Sequence, residues 1–270
     1  MAYGQKEGLE ILPKGFFQEG VLGDIFPQSA FDVSHERQRP TLTMPTNPEM
    51  ATVVWGSVLE GWAKASSLDR EGIIFTVADC DWTEEETKEP MSDVNGEPLS
   101  GMLVYVPEQF KGKEGLLLAS RMFPETRASW SVDGKMLVDD DTDRTGWIQV
   151  EQSLEAPNRN TTEEDLRNHA ESYGFDGQRE ITYMLASRMS MELTGHFLDE
   201  NTSSRLLGTH VKGRPAIAGY VARGDFYVYP NILPQNPTPL QDVKSPDVGG
   251  RFERTREVTT AYTSRVLFHI

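Results

Sequence analysis

The chain has 270 residues, with 42 Asp and Glu against 26 Lys and Arg, a formal charge of −16 and a pI near 4.7. That balance disfavours binding along a nucleic-acid backbone by bulk charge, while 37% hydrophobic and 25% charged residues mark a folded chain rather than a disordered one. A single cysteine, Cys80, excludes an internal disulfide and a Cys/His zinc pattern, and no apolar run approaches the ~18 residues of a membrane span.

Residues 1–48 read as an extended arm. Pro13, Pro27, Pro40, Pro45 and Pro48 leave no room for long regular elements. Yet Leu9, Ile11, Phe16, Phe17, Ile25, Phe26 and Phe31 are interleaved with them, so the arm is expected to lie on an apolar surface. Met1 to Leu12 carries Lys6, Glu7 and Glu10 and does not read as a secretory signal.

Residues 49–270 read as one β-rich domain. From 50 to 66, Val54, Val58 and Trp62 fit a helical stripe that Gly56 and Gly61 weaken. Ile73 to Ala78, Met102 to Val106 and Leu116 to Ala119 are strand candidates, and Thr83 to Gly101 reads as an acidic loop. Asp133-Gly134 between alternating residues predicts a tight hairpin within Ser129 to Val138, and Gly146 to Gln152 predicts a further strand.

The helical part is expected over 162–197. Thr162 with Glu164 and Asp165 behind it is an N-cap signal, and Gly174 is placed to stop the helix. Ile181, Met184, Leu185, Met189 and Leu193 then recur at helical spacing up to Gly195. Strands follow at Ala216 to Ala222 and Phe226 to Ile232, flanking the turn Arg223-Gly224-Asp225. Five prolines between Pro230 and Pro246 make a stiff loop over 230–250. Phe252 to Thr260 and Tyr262 to Ile270 are rich in Thr and Val and read as strands. The expected class is α+β, mainly antiparallel β, with a two-helix segment and an extended N-terminal arm.

Charge is uneven. Residues 79–97 carry a net −7 and residues 133–165 another −7, whereas 201–270 carry +4. Such opposed regions suit oriented contact between copies.

Chemistry-bearing patterns are few. Asp139, Asp141 and Asp143 have the spacing of the first three ligands of a calcium loop. Arg144 stands where the loop needs glycine, and Glu151 falls one residue late for the closing ligand, so an acidic turn is the preferred reading and calcium the only cofactor in view. His35, His169, His196, His210 and His269 make no helical zinc pair, and His196 is placed to interact with a helix C-terminus. Cys80 lies between Asp79 and Asp81, which disfavours its thiolate. No nucleophile elbow and no phosphate-binding glycine loop is present.

The sequence therefore favours organisation over catalysis. The expectation is a structural subunit of a large oligomeric particle, such as a viral capsid, connector or tail. Its partners would be other copies or other subunits, reached through the arm and terminal strands, with no sequence-specific nucleic acid and no membrane. It would reside in a virion or the cytoplasm. Two alternatives remain: a hydrolase using carboxylates or histidine around His169, His196 or His210, and a sugar-binding β module needing at least two exposed residues among Trp55, Trp62, Trp82, Trp130 and Trp147.

Overall fold

Asn47 caps the first helix, α1 (Pro48–Ala65): its side chain accepts from the Met50 amide, and Pro48 occupies a first-turn position where no donor is lost. The computed structural model describes residues 47–123, 131–132, 135–136, 138–139, 144–211, 214–220, 226–230 and 244–256. Residues 1–46 of the expected arm, most of the proline-rich loop, and residues 257–270 lie outside them.

α1 buries Ala51, Val54, Trp55, Val58, Leu59 and Trp62 on one face, and the Trp55 indole donates to the Leu103 carbonyl at 2.9 Å. The stripe outweighs the two glycines because burying each large side chain is worth about 1.5–3 kcal/mol, against about 1 kcal/mol for a helical glycine. A 3-10 turn (Asp69–Glu71) follows, and Gly72 takes φ 79°, a left-handed backbone that glycine adopts without strain.

Ile73 to Ala78, expected as a strand, runs extended but joins no ladder among the described residues. The expected acidic loop contains a helical turn, α2 (Glu84–Lys88), held by a capping box between Thr83 and Glu86. It also contains a small hairpin of β1 (Met91–Ser92) and β2 (Pro98–Leu99).

β3 (Gly101–Val106) meets its expectation. Leu116 to Ala119 does not: these residues belong to a helix, α3 (Gly112–Met122), with Leu116, Ala119 and Met122 buried and Leu117 exposed. The expected hairpin near 133–134 is present as β4 (Ser131–Val132) against β5 (Lys135–Met136), and β6 (Val138–Asp139) follows. β7 (Gly146–Glu151) is the expected strand.

The two-helix segment is α4 (Glu163–Tyr173) and α5 (Glu180–Thr194), separated by β8 (Asp176–Gly177). Thr162 and Asp165 form the capping box of α4. Gly174 and Gly195 close the two helices in left-handed conformation. The remaining strands are β9 (Ser203–Val211), β10 (Arg214–Tyr220), β11 (Phe226–Pro230), β12 (Val248–Gly250) and β13 (Phe252–Thr255).

One sheet has the order β11-β10-β9-β12, with β6 also on β9; the other has the order β3-β7-β13-β8. Every pairing in them is antiparallel except β12 on β9. The chain is thus α+β with mainly antiparallel strands. α5 packs on β3 and β7 of one sheet and on β9 of the other, and is buried on most of its circumference. That explains why its sequence is apolar or small nearly all round. Among the described residues no helix is long and apolar enough to cross a membrane.

Candidate functional site

Two regions stand out, one wholly inside and one at the surface. The inner one is built on Arg251, between β12 and β13. Its Nε donates to Asp199 Oδ2 at 3.1 Å and Ser204 Oγ at 2.9 Å, and its Nη2 to Asp199 Oδ1 at 2.7 Å and the Ser153 carbonyl at 2.9 Å. Its Nη1 meets Glu151 at the end of β7. Asp199, in left-handed backbone at φ 58°, also accepts from Tyr183 Oη, Thr202 Oγ1 and Ser204 Oγ. Arg251, Glu151 and Asp199 are all fully buried.

Burial pushes the Asp199 carboxyl up to about 7 against the pull of the hydroxyl donors, and pushes the Tyr183 phenol well above its ordinary value. It lowers the Arg251 guanidinium to about 9, still a cation at neutral pH.

A second buried pair lies alongside. Arg179 Nε donates to Glu253 Oε1 at 2.6 Å, the Arg179 amide and Thr182 Oγ1 donate to Glu253 Oε2, and Arg179 Nη1 reaches the Arg144 carbonyl. The next residue, Glu180, opens α5. Its amide donates to Thr209 Oγ1, but its carboxyl has no hydrogen-bond partner among the described residues, and burial lifts it to about 8.

These groups tie α5, both sheets and the turn at Asp199 together. Arg251 reaches across 100 residues to Glu151 and 52 to Asp199. With its three charged members closed off from solvent, this centre offers no route to a substrate and reads as an internal brace.

Among the described residues, the candidate ligands and nucleophiles of the sequence do not converge on a site. Asp139 lies on β6, its backbone opposite His210; its side chain, with Asp141 and Asp143, lies outside the described residues. Among the described residues no group of three or more His, Cys, Asp or Glu is placed to hold a metal ion.

His169 is buried between Tyr173 and Phe252, its Nε2 at 2.8 Å from the Ser92 carbonyl. His196 pairs with Glu200 at 3.1 Å rather than with the helix end, because Gly195 already turns the chain there and its amide satisfies the Met191 carbonyl. Cys80 is half-buried, and burial, more than Asp81, raises its thiol above the ordinary range. Trp55, Trp62, Trp82 and Trp147 are buried in the core; only Trp130 lies outside the described residues. A sugar platform of two or more exposed tryptophans is thereby excluded.

The surface region is the extended segment 73–79. Burial alternates along it: Ile73, Phe75 and Val77 pack against the core, while Ile74, Thr76 and Ala78 face outward. Ile74 is 74% exposed. Phe75 lies 5.2 Å from Phe110, ring to ring. Side chains hold two of its carbonyls, Gln109 Nε2 on Ile74 at 2.8 Å and Trp147 Nε1 on Ala78 at 3.0 Å. Its ends are pinned by the Ile73 amide on the Leu68 carbonyl and the Cys80 amide on Thr52 Oγ1. Among the described residues, no amide from 74 to 79 finds a hydrogen-bond acceptor. The segment thus has the backbone and burial pattern of a strand without a neighbour on its ladder.

Beside it, the end of β13 meets the acidic stretch. Arg254 lies over the Trp82 ring and pairs with Glu89, while Arg256 pairs with Glu86 and reaches the Asp81 carbonyl. Part of the opposed charge seen in the sequence is therefore neutralised within one chain. Sequence reasoning found 73–78 as a strand but had no means of knowing that no described strand joins its ladder.

No protein-family model, no curated protein and no solved structure matches the chain.

Proposed function

We propose that this chain is a structural subunit of a large oligomeric particle, such as a viral capsid, connector or tail component, and that it works by docking extended segments between subunits. It would act in a virion or in the cytoplasm before assembly. The observation that carries the reading is the open edge at 73–79. Seven residues hold strand-like backbone and a packed inner face, while the six amides from 74 to 79 find no acceptor among the described residues. Such an edge recruits a strand from elsewhere, with main-chain hydrogen bonds supplying affinity.

Three further features support the reading. The buried ionic centre is closed to substrates. The long N-terminal segment 1–46 carries apolar residues spaced among prolines. The first turns of α1, where that segment joins the domain, leave Met50 and Val53 exposed, the latter at 52%. Isolated exposed apolar residues are ordinary; their place beside an open edge is what gives these weight.

The test is the mass in solution by light scattering, on the intact chain and on a version beginning at residue 47. The expected result is an intact oligomer that shrinks on truncation. A monomer in both cases at tens of micromolar overturns the reading.

A further inference from the structure

Resting on that reading, we infer that the strand completing the open edge is the C-terminal segment, residues 257–270, of a second copy of this chain. The first argument is position. Described structure ends at Arg256, whose guanidinium is on the Asp81 carbonyl, two residues past the edge, and on Glu86. The root of each C-terminal segment therefore lies beside the edge of its own subunit. Two copies related by a two-fold axis exchange such segments through short connectors, with the same contact made twice.

The second argument is chemistry. Val258, Thr259, Thr260, Tyr262, Thr263, Val266 and Phe268 give the segment a strand composition, without proline or glycine. Fourteen residues reach about 46 Å at ~3.3 Å per residue, twice the seven-residue edge, which leaves half the segment to cross between subunits. Arg265 brings a positive charge to an edge that ends in Asp79.

The third argument concerns what one added strand leaves uncovered. It would satisfy every second amide of 74–79, the ones turned toward it, and shield Ile74. Val53 and Met50 lie on the turns of α1 that hold Cys80 through Thr52, beyond that ladder. A second subunit brought in by its own strand covers both the edge and this flank.

The test is disulfide trapping in the full-length chain. Cys80→Ser removes the native thiol, Thr76→Cys places one on the outward face of the edge, and a second is introduced in turn on both faces of the segment, as Val258→Cys, Thr260→Cys, Tyr262→Cys, Ser264→Cys or Val266→Cys and as Thr259→Cys, Ala261→Cys, Thr263→Cys, Arg265→Cys or Leu267→Cys. Facing residues of paired strands have Cα atoms about 4.5–5.5 Å apart, within disulfide reach. After mild oxidation, the expected result is a covalent dimer on a non-reducing gel at one register, shifted back to single-chain mass by reductant. It should be lost when Tyr262→Pro or Val266→Pro is added at a position not used for trapping.

A cross-link confined to single chains overturns the inference, since the edge is then closed by the chain's own terminus. No cross-link at any register also overturns it. Light scattering of the same proteins separates the two claims. An oligomer without the cross-link leaves the assembly reading standing and removes this occupant, whereas a monomer without it removes both.

Discussion

The centre around Arg251 and the edge at 73–79 treat polar groups in opposite ways. In the centre, every nitrogen of a buried guanidinium is bonded and two carboxylates surround it. At the edge, a run of backbone amides finds no acceptor among the described residues. Burying an unpaired polar group costs about 1–3 kcal/mol, so a whole run of unpaired amides is far cheaper at the surface than inside, where the Glu180 carboxyl is kept neutral instead. At the surface water satisfies those amides, and a strand replaces the water at little net cost. The centre is therefore where this molecule fixes its own fold, and the edge is where its backbone is left able to engage something else.

The largest expected effect comes from breaking the centre. Arg251→Met strands Glu151 and Asp199 together and should destabilise by about 3–5 kcal/mol, seen as a lower midpoint in urea. The parallel change at the edge, Thr76→Pro, removes only a solvated donor and should move the midpoint far less.

Second comes Glu180, the member of the buried set whose carboxyl lacks a partner among the described residues. Its folded value of about 8 lies above its ordinary 4.5. The folded state thus keeps a proton that the unfolded state gives up above pH ~4.5. Its contribution is full below that point and is lost as pH rises through 8. Stability should fall over this window by up to about 1.4 kcal/mol per pH unit. Asp199, raised to about 7, adds a slope of the same sign below that point, so Glu180→Gln should make the profile of Tm against pH shallower, most clearly between pH 7 and 8, and an unchanged slope there would show that another group carries it.

Next in size are the caps. Thr162→Ala and Thr83→Ala should each cost about 1 kcal/mol. Thr162 starts a helix packed in the fold and should show the loss in global unfolding. Thr83 caps one short turn near the edge, so its loss should appear mainly as faster amide exchange at 84–88. Smallest in stability is Ile74→Lys, expected within about 0.5 kcal/mol of the parent. Under the assembly reading it should nonetheless lower the mass in solution, because a lysine on an open edge opposes strand addition. An unchanged mass would remove Ile74 from the contact.

Some of this was legible in the residues. Thr162, Gly174 and Gly195 bracket the two helices because caps and left-handed stops are local chemistry. The pairing of β4 with β5 and of β10 with β11 followed from short turns between alternating residues. Leu116 to Ala119 misled because a four-residue apolar run has no period of its own; only packing against Phe110 and α1 makes it helical. Gly115 shows how tight that packing is, since a Cβ there would lie 2.1 Å from the Phe110 carbonyl carbon.

The sequence by itself determined the class of fold, the two helices between 162 and 197, and the concentration of acid near 79–97, because these depend on neighbours a few positions apart. Only the tertiary structure decided that Arg251 meets Glu151 and Asp199, and that, among the described residues, Glu180 is buried without a partner and 73–79 is extended yet unpaired. Each of those rests on which distant segments share a space, which no local pattern of residues encodes.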